Sequence, residues 1–355
     1  MTTAMGIMPH KNVESALKLA LSLDIPFWPQ LPNVSYYEDM YAQTSENFPG
    51  ISINTEEGKI GFDTSAFVKE IADYSQKMAD PETFALSREY SKVYHNFLSK
   101  DLGAYPAIRG QVTGPVSFGF RVMDENLKPL IYNEEARALL FDFIQRKVNT
   151  QYHQLQEKNE NAFVWVDEPG LGWVFSGLSG YSDVQARQDY RNFWDGLDGP
   201  SGLHLCASVN LPYLLELGPD ILSFDAYQMR LMPKGYANAA ADYITNGGII
   251  SWGIVPTDSE NLNQHTPETL VTLLLSYWES VSDNTGVPVR NIAEQALLAP
   301  ARCCLKNFGR VGACDDMTES KMRKTPDSTT EEQLVEKTFA YLRSLSEILR
   351  DKFAL

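Results

Sequence analysis

The sequence predicts an α/β fold: a (β/α)₈ TIM barrel formed by a single domain that spans residues 1–355. Short apolar runs alternate with longer amphipathic stretches, which is the pattern of strands joined by helices. Several of these runs are almost continuously apolar, as in parallel strands that are covered on both faces. The runs match the eight strands of a barrel and lie at residues 3–8, 26–30, 107–113, 163–167, 202–206, 221–225, 249–255 and 296–302. A doubly wound open sheet is the alternative fold.

Helical patterns separate these predicted strands. Between the first two, apolar residues from Val13 to Leu21 recur at i, i+3, i+4, i+7 and i+8, the spacing of one helix face. Later helical patterns cover residues 134–157, 213–217 and 268–281. Residues 32–102 are too many for one ordinary crossover. We expect them to form an insertion after the second strand, a helical excursion over the barrel mouth.

Composition excludes several classes of protein. With 30 Lys and Arg against 46 Asp and Glu, the formal net charge is −16, which argues against nucleic acid and against an anionic membrane surface as partners. Four cysteines are too few for a disulfide framework. We see no signal peptide and no apolar run near the ~20 residues that span a bilayer. The sequence therefore predicts a soluble cytoplasmic protein, whose cysteines are core residues, metal ligands or reactive thiols.

A histidine and two cysteine positions stand at predicted strand ends, where barrel enzymes carry their active residues. His204 and Cys206 are two residues apart in a strand, so their side chains point to the same side. Cys303 and Cys304 follow the last predicted strand. Imidazole and thiolate together suit zinc, and Asp225 at another strand end is a further candidate. The alternative is that these cysteines are small buried apolar residues.

Two carboxylates end the predicted strand at residues 163–167. Asp167 and Glu168 follow the apolar residues 164–166 and precede Pro169. Buried carboxylates are costly without partners, so a ligand with an ammonium group is one interpretation. Capping of the next turn or helix is the other.

Taken in order, these motifs resemble a known family. The chain is similar to the carboxyl-terminal catalytic domain of cobalamin-independent methionine synthase, in the superfamily that also contains uroporphyrinogen decarboxylase. The resemblance extends over nearly the whole chain, and the short form looks like the "core" methionine synthases. The residues that carry it are Gly6-Ile7-Met8-Pro9-His10, Val112-Thr113-Gly114-Pro115, Val166-Asp167-Glu168-Pro169, His204-Leu205-Cys206, Asp220-Ile221-Leu222-Ser223-Phe224-Asp225 and Pro300-Ala301-Arg302-Cys303-Cys304-Leu305-Lys306.

The resemblance implies a zinc ion held by His204, Cys206 and Cys303, with Cys304 as the alternative to Cys303. Asp225 stands where the family has a glutamate ligand, so it is a possible fourth ligand and a catalytic candidate. Asp167 matches a carboxylate that binds the amino group of homocysteine.

Three further positions of the resemblance concern the substrate. Gln30 falls near a second family carboxylate, and Gly6 belongs to the opening substrate-binding motif. Ile7 replaces the serine that helps to hold the amino acid in that motif.

The chemistry implied by the resemblance is methyl transfer to a zinc-bound thiol. Zinc deprotonates the thiol, so that its sulfur attacks the methyl group. The family carries a histidine after strand seven, but residues 253–258 contain none, and the chain lacks the family's amino-terminal folate-binding barrel. We therefore expect methylcobalamin or a methylated corrinoid protein as donor, homocysteine as acceptor and methionine as product.

Three other functions compete with this prediction. A methylcobamide:thiol methyltransferase would use the same zinc site with another acceptor, such as coenzyme M. An enzyme like uroporphyrinogen decarboxylase would need no zinc. In a non-enzymatic protein the zinc would be structural or absent, although structural sites usually have four close-set Cys or His ligands.

Overall fold

The structure is a computed structural model of the 355-residue chain and describes residues 1–176, 179–206, 210–305 and 328–355. It confirms the predicted α/β class. Its strands are β1 (Ile51–Asn54), β2 (Lys59–Phe62), β3 (Ile108–Thr113), β4 (Ala162–Asp167), β5 (Ser201–Leu205), β6 (Ile221–Phe224), β7 (Ile249–Val255) and β8 (Ala296–Pro300).

Each of the four helical patterns predicted from the sequence corresponds to a helix of the structure with similar bounds. They are α1 (Val13–Ala20), α2 (Met40–Ser45), α3 (Thr64–Lys77), α4 (Lys92–Leu98), α5 (Pro115–Arg121), α6 (Glu134–Gln156), α7 (Asp183–Asp195), α8 (Leu211–Glu216), α9 (Lys234–Thr245), α10 (Ser259–Gln264), α11 (Pro267–Thr285), α12 (Val289–Glu294) and α13 (Ser328–Phe353). Among the helices of the described ranges, none has both the length and the apolar character that crossing a lipid bilayer requires.

Contacts divide the chain into two compact units. The discontinuous unit contains Met1–Pro29 and Gly202–Leu355, and the central unit contains Gln30–Ser201. The organisation as a single domain stays a prediction.

The discontinuous unit is built on four parallel strands. β5 pairs with β6, β6 with β7 and β7 with β8, and their residues are almost all buried. Burial on both faces is what their continuous apolar character requires. Helices α9, α11 and α13 pack in this unit. A capping box at Thr266 begins α11, and Gly286, at φ 78°, ends it in the left-handed conformation that suits glycine.

The first two predicted strands, at residues 3–8 and 26–30, are not regular strands. Thr2 forms an isolated parallel bridge with Leu298 of β8, and the Ile25 amide donates to the Thr2 carbonyl at 2.9 Å. Pro26 and Pro29 lack the amide hydrogens that a continuous ladder needs, which accounts for the short pairing of the second segment. The complete eight-stranded barrel therefore stays a prediction.

The central unit contains β3 and β4, which pair in parallel with Thr113 opposite Asp167. Helix α6 packs against both strands. The predicted excursion, residues 32–102, contains helices α2, α3 and α4 and the antiparallel hairpin β1–β2. Its place over a barrel mouth is a prediction.

Candidate active site

His204 is fixed at the carboxyl end of β5 by its neighbour on β6. The two residues are register partners, and His204 Nδ1 shares a hydrogen bond of 3.0 Å with the Ser223 hydroxyl. His204 is buried, and so is Cys206, which follows the end of β5. Because Nδ1 faces Ser223, Nε2 is the ring nitrogen through which His204 would bind a metal.

Asp225 follows β6 and is held by two hydrogen bonds. Its Oδ2 accepts from Arg302 Nε at 2.9 Å, and its Oδ1 accepts from the backbone amide of Gln228 at 3.1 Å. Burial raises the pKa of Asp225 to about 6, although the hydrogen bond from Arg302 acts in the opposite direction. Both carboxylate oxygens thus have protein partners, and a metal would have to bind through a remaining lone pair of one of them.

Cys303 and Cys304, which follow β8, have different surroundings. Cys303 is partly exposed, whereas Cys304 is buried. Burial raises the pKa of the Cys304 thiol, and the nearby Cys303 and Glu331 raise it further. Metals bind the thiolate form, so Cys303 is the better candidate ligand of the two. The fourth cysteine, Cys314, lies outside the described residues.

These donors suit zinc in their chemistry, but the described residues do not gather them into a site. Within the described ranges, no group of three or more His, Cys, Asp or Glu side chains is placed to hold a metal ion. His204 and Cys206 belong to β5, whereas Cys303 follows β8, three strands further along the sheet. In a flat sheet β5 and β8 would lie ~14 Å apart, so the three side chains could bind one zinc ion only if the sheet is curved.

The central unit contains the two adjacent carboxylates, in contrasting surroundings. Glu168 is fully buried and accepts hydrogen bonds from the Val116 amide at 2.9 Å and the Ser117 amide at 2.7 Å, and from the hydroxyls of Ser117 and Tyr190. Burial raises its pKa to about 7, and these hydrogen bonds oppose the shift. Glu168 therefore caps the start of α5, which precedes it in the chain, and not the next turn or helix as the capping interpretation predicted.

Asp167 has a buried arginine as its electrostatic partner. Arg109 on β3 is fully buried, with its guanidinium 4.1 Å from the centre of the Trp165 ring and Nη1 donating to Gln111 Oε1 at 3.1 Å. Burial raises the pKa of Asp167 to about 7; Arg109 lowers it and Glu168 raises it. Within the described residues, the buried Oδ1 of Asp167 accepts no hydrogen bond.

The other two predicted substrate-binding positions are also buried. In the central unit, Gln30 Nε2 donates to Gln43 Oε1 at 2.8 Å, and Gln43 Nε2 donates to the Glu38 carboxylate at 3.0 Å. Gln30 thus belongs to a buried chain of polar side chains. In the discontinuous unit, Gly6 lies buried in a bend, and Ile7 after it is half-buried.

One polar pair was not expected from the sequence. The hydroxyl of Tyr227, two residues beyond Asp225, lies 3.0 Å from His265 Nε2 and 3.3 Å from Asn261 Oδ1. His265 follows α10, ten residues beyond the end of β7. The prediction from the sequence considered only residues 253–258 and therefore did not include His265.

Comparison with solved structures identifies a protein of similar fold. No family model and no curated protein matches the chain. Among solved structures, the fold is similar to that of a known α/β enzyme over 99% of both chains, with a TM-score of 0.52 and 12% sequence identity. That structure is a B12-independent methionine synthase from Shewanella sp. W3-18-1 in complex with selenomethionine. The likeness concerns the fold.

Proposed function

We propose that the chain is a zinc-dependent methyltransferase that transfers a methyl group to the thiol of homocysteine and forms methionine. The observation that carries the proposal is the pair His204 and Cys206 at the carboxyl end of β5, with Cys303 beyond β8, in a fold similar to a methionine synthase. That synthase was solved with selenomethionine, the selenium analogue of the proposed product.

In this proposal, His204, Cys206 and Cys303 hold the zinc. The ion would lower the pKa of the acceptor thiol, so that its sulfur reacts as a thiolate. The hydrogen bond between Ser223 and His204 Nδ1 orients the imidazole so that Nε2 is the ligand atom. Asp225, whose two oxygens have protein partners, supports the site through Arg302.

Asp167 is the candidate for binding the ammonium group of the acceptor. Its Oδ1 is buried and makes no hydrogen bond within the described residues. Arg109 favours the ionised carboxylate, which an ammonium requires. Gln30 and Gly6 are proposed only as supporting positions, since Gln30 is already bonded to Gln43.

For the methyl donor we propose methylcobalamin or a methylated corrinoid protein. Residues 253–258, at the end of β7 and just beyond it, contain no histidine that could protonate a folate amine as it leaves. Methyl-folate is the second candidate, supported by two observations. The similar synthase is B12-independent, and the Tyr227 hydroxyl, two residues beyond Asp225, lies 3.0 Å from His265 Nε2, so this pair carries exchangeable protons.

The test combines metal analysis with methyl transfer. Purified wild-type protein should contain about one zinc per chain and methylate homocysteine. His204→Ala and Cys206→Ser should lose both the metal and the activity. His153→Ala is the matched control, because His153 is exposed in the central unit, where its Nε2 lies 2.8 Å from an Asp198 carboxylate oxygen.

Two results would contradict the proposal. One is full activity in both ligand variants, and the other is the absence of zinc from an active wild-type protein. Parallel assays with methylcobalamin and methyl-folate identify the donor, and coenzyme M as acceptor tests the alternative thiol methyltransferase.

A further inference from the structure

The loop that follows β6 in the discontinuous unit contains a turn in a strained conformation. The Leu231 amide donates to the Met229 carbonyl at 2.6 Å, which closes a three-residue turn with Arg230 at its centre. Arg230 has φ 56° and ψ −38°, close to the γ-turn of positive φ, a rare and strained conformation for a residue with a side chain. The turn therefore holds Arg230 at a raised free energy.

Both ends of this loop are attached to neighbouring residues. At its start, the Gln228 amide donates to Asp225 Oδ1 at 3.1 Å. At its end, the Met232 carbonyl accepts from the Ser280 hydroxyl of α11 at 3.3 Å. The tip of the loop, residues 229–231, lies between these two attachments. It can therefore move while both ends of the loop stay in place.

The tip presents an apolar side chain to solvent. Leu231 is 78% exposed, whereas Met232 beside it is buried. A single exposed leucine is ordinary on a protein surface, but this one directly follows the strained residue. The tip also comes after Asp225, beyond the carboxyl end of β6, which is the end at which ligands bind in parallel α/β folds. A conformational change at Arg230 would therefore move Leu231 next to the candidate site.

A buried tyrosine of α11 faces the same turn. Tyr277 precedes Ser280 by one helical turn, so both lie on one side of α11. The Tyr277 hydroxyl is buried and has no hydrogen-bond partner within the described residues. Burial raises the pKa of Tyr277 to about 12, and the Arg230 backbone is close enough to act in the opposite direction. An unpaired buried hydroxyl is costly, so a shift of the tip that let the Arg230 amide donate to it would be favoured.

We propose that the tip is a lid that closes over a ligand bound at the carboxyl ends of β5 and β6. In the closed form Arg230 leaves the strained turn, its amide donates to the Tyr277 hydroxyl, and Leu231 covers the ligand. Without a ligand Leu231 has nothing to pack against, and the tip stays open. The inference rests on the proposed function, which names the ligand as a sulfur-containing amino acid. Closure excludes water from the reacting sulfur.

The first variant removes the strain from the open form alone. Arg230→Gly should raise the midpoint of thermal unfolding of the ligand-free protein, because glycine adopts this φ freely. It should also weaken methionine binding, measured by calorimetry with zinc present, by about 3- to 30-fold, since closure no longer releases strain. Leu127→Gly is the matched control, because Leu127 is exposed at φ 60° in the central unit, and its replacement should leave methionine binding unchanged.

The second variant removes the cover and keeps the turn. Leu231→Ser should leave the midpoint of thermal unfolding almost unchanged, because the side chain is exposed in the ligand-free protein. It should weaken methionine binding by about 3- to 10-fold, since the closed lid loses its apolar contact. Val68→Ser, at an exposed position of α3, is the control and should change neither quantity.

The third variant removes the partner that the closed lid would gain. Tyr277→Phe should not destabilise the ligand-free protein, because the hydroxyl is unpaired there. It should nevertheless weaken methionine binding, since the Arg230 amide then has no acceptor in the closed form. Calorimetry and thermal unfolding of the same sample measure the two effects.

Hydrogen exchange follows the movement itself and requires no ligand. In the free protein, the strained turn protects the Leu231 amide through its bond to Met229. Arg230→Gly favours that turn and should raise the protection factor of this amide, while that of the Gln228 amide, at the attached end, should not change. In the wild-type protein, saturating methionine should slow exchange across residues 229–231.

The outcomes separate the lid from the proposed function. Equal methionine affinity in wild type, Arg230→Gly and Leu231→Ser would overturn the inference and leave the proposed function intact. If methionine does not bind, the proposed function fails, and exchange of the Leu231 amide decides whether the tip moves. An unchanged protection factor in Arg230→Gly would then overturn the inference, and a raised one would support it.

Discussion

Gly114 and Glu168 approach so closely in the central unit that a methyl group on Gly114 would overlap the Glu168 carboxylate. Gly114 is the residue before α5, and Glu168 caps the first amides of that helix. A glycine is therefore required here for the space beside the carboxylate. Its φ of −72° is accessible to any residue.

The first prediction follows from this contact. Gly114→Ala should lower the free energy of unfolding by about 1–3 kcal/mol, because the added methyl displaces Glu168 and strains the hydrogen bonds around it. Urea denaturation measures the change. Gly172→Ala is the control, since no atom outside its own local backbone and chain neighbours lies within 4 Å of its new methyl group. Equal stability of the two variants would show that Glu168 moves aside without cost.

The second prediction concerns the pH dependence of stability. Burial raises the pKa of Asp167 from 3.8 to about 7 in the folded protein, so the folded state holds this proton more tightly than the unfolded state. The stabilisation that this proton provides is complete below pH ~4 and is lost as the pH rises through 7. Each unit of difference between the folded and unfolded pKa contributes about 1.4 kcal/mol to it. Asp167→Asn removes this titration.

Urea denaturation at pH 5 and pH 8 measures this effect. The free energy of unfolding of Asp167→Asn minus that of wild type should be larger at pH 8 than at pH 5. The exposed Asp101→Asn serves as control and should show no such difference. A constant offset between wild type and Asp167→Asn at both pH values would contradict the prediction.

The third prediction distinguishes the adjacent cysteines. Cys303→Ser should abolish zinc binding, whereas Cys304→Ser should keep the zinc, because the buried thiol of Cys304 has a raised pKa. Cys304→Ser should instead cost about 1–3 kcal/mol of stability, since it buries a hydroxyl in place of a thiol. Metal analysis and denaturation measure the two effects, and loss of zinc from Cys304→Ser alone would reverse the assignment.

The fourth prediction uses the Tyr227–His265 hydrogen bond to identify the methyl donor. Tyr227→Phe removes the hydroxyl that lies 3.0 Å from His265. If methyl-folate is the donor, kcat should fall by about 10²-fold or more, as for a lost proton donor. With methylcobalamin, kcat should be almost unchanged, because cobalt leaves without a proton. Tyr243→Phe, whose hydroxyl donates to a backbone carbonyl elsewhere in the same unit, is the control.

Much of the fold can be predicted from local patterns. The continuous apolar runs correctly located β3 to β8, because parallel strands buried on both faces need such runs. The two runs before residue 31 formed only isolated bridges. The prolines in the second run have no amide hydrogen to donate to a neighbouring strand, and the apolar character of a run does not indicate this.

The candidate site was less accessible from the sequence. The capping role of Glu168 depends on Ser117 and Tyr190, which lie 51 and 22 residues away in the chain. The partner of Asp225, Arg302, is 77 residues away. Such pairs form through tertiary packing, and the spacing of the residues in the sequence does not predict them.

The division of the chain into a discontinuous and a central unit has a consequence for its synthesis. Residues 30–201 leave the ribosome as one continuous stretch and can complete their contacts while the rest of the chain is still being made. Thr2, which pairs with Leu298, must wait for nearly three hundred more residues before its partner exists. During that interval the amino-terminal segment exposes Phe27 and Trp28, which are buried in the finished unit. A chaperone that binds apolar segments would find Phe27 and Trp28 accessible throughout that interval.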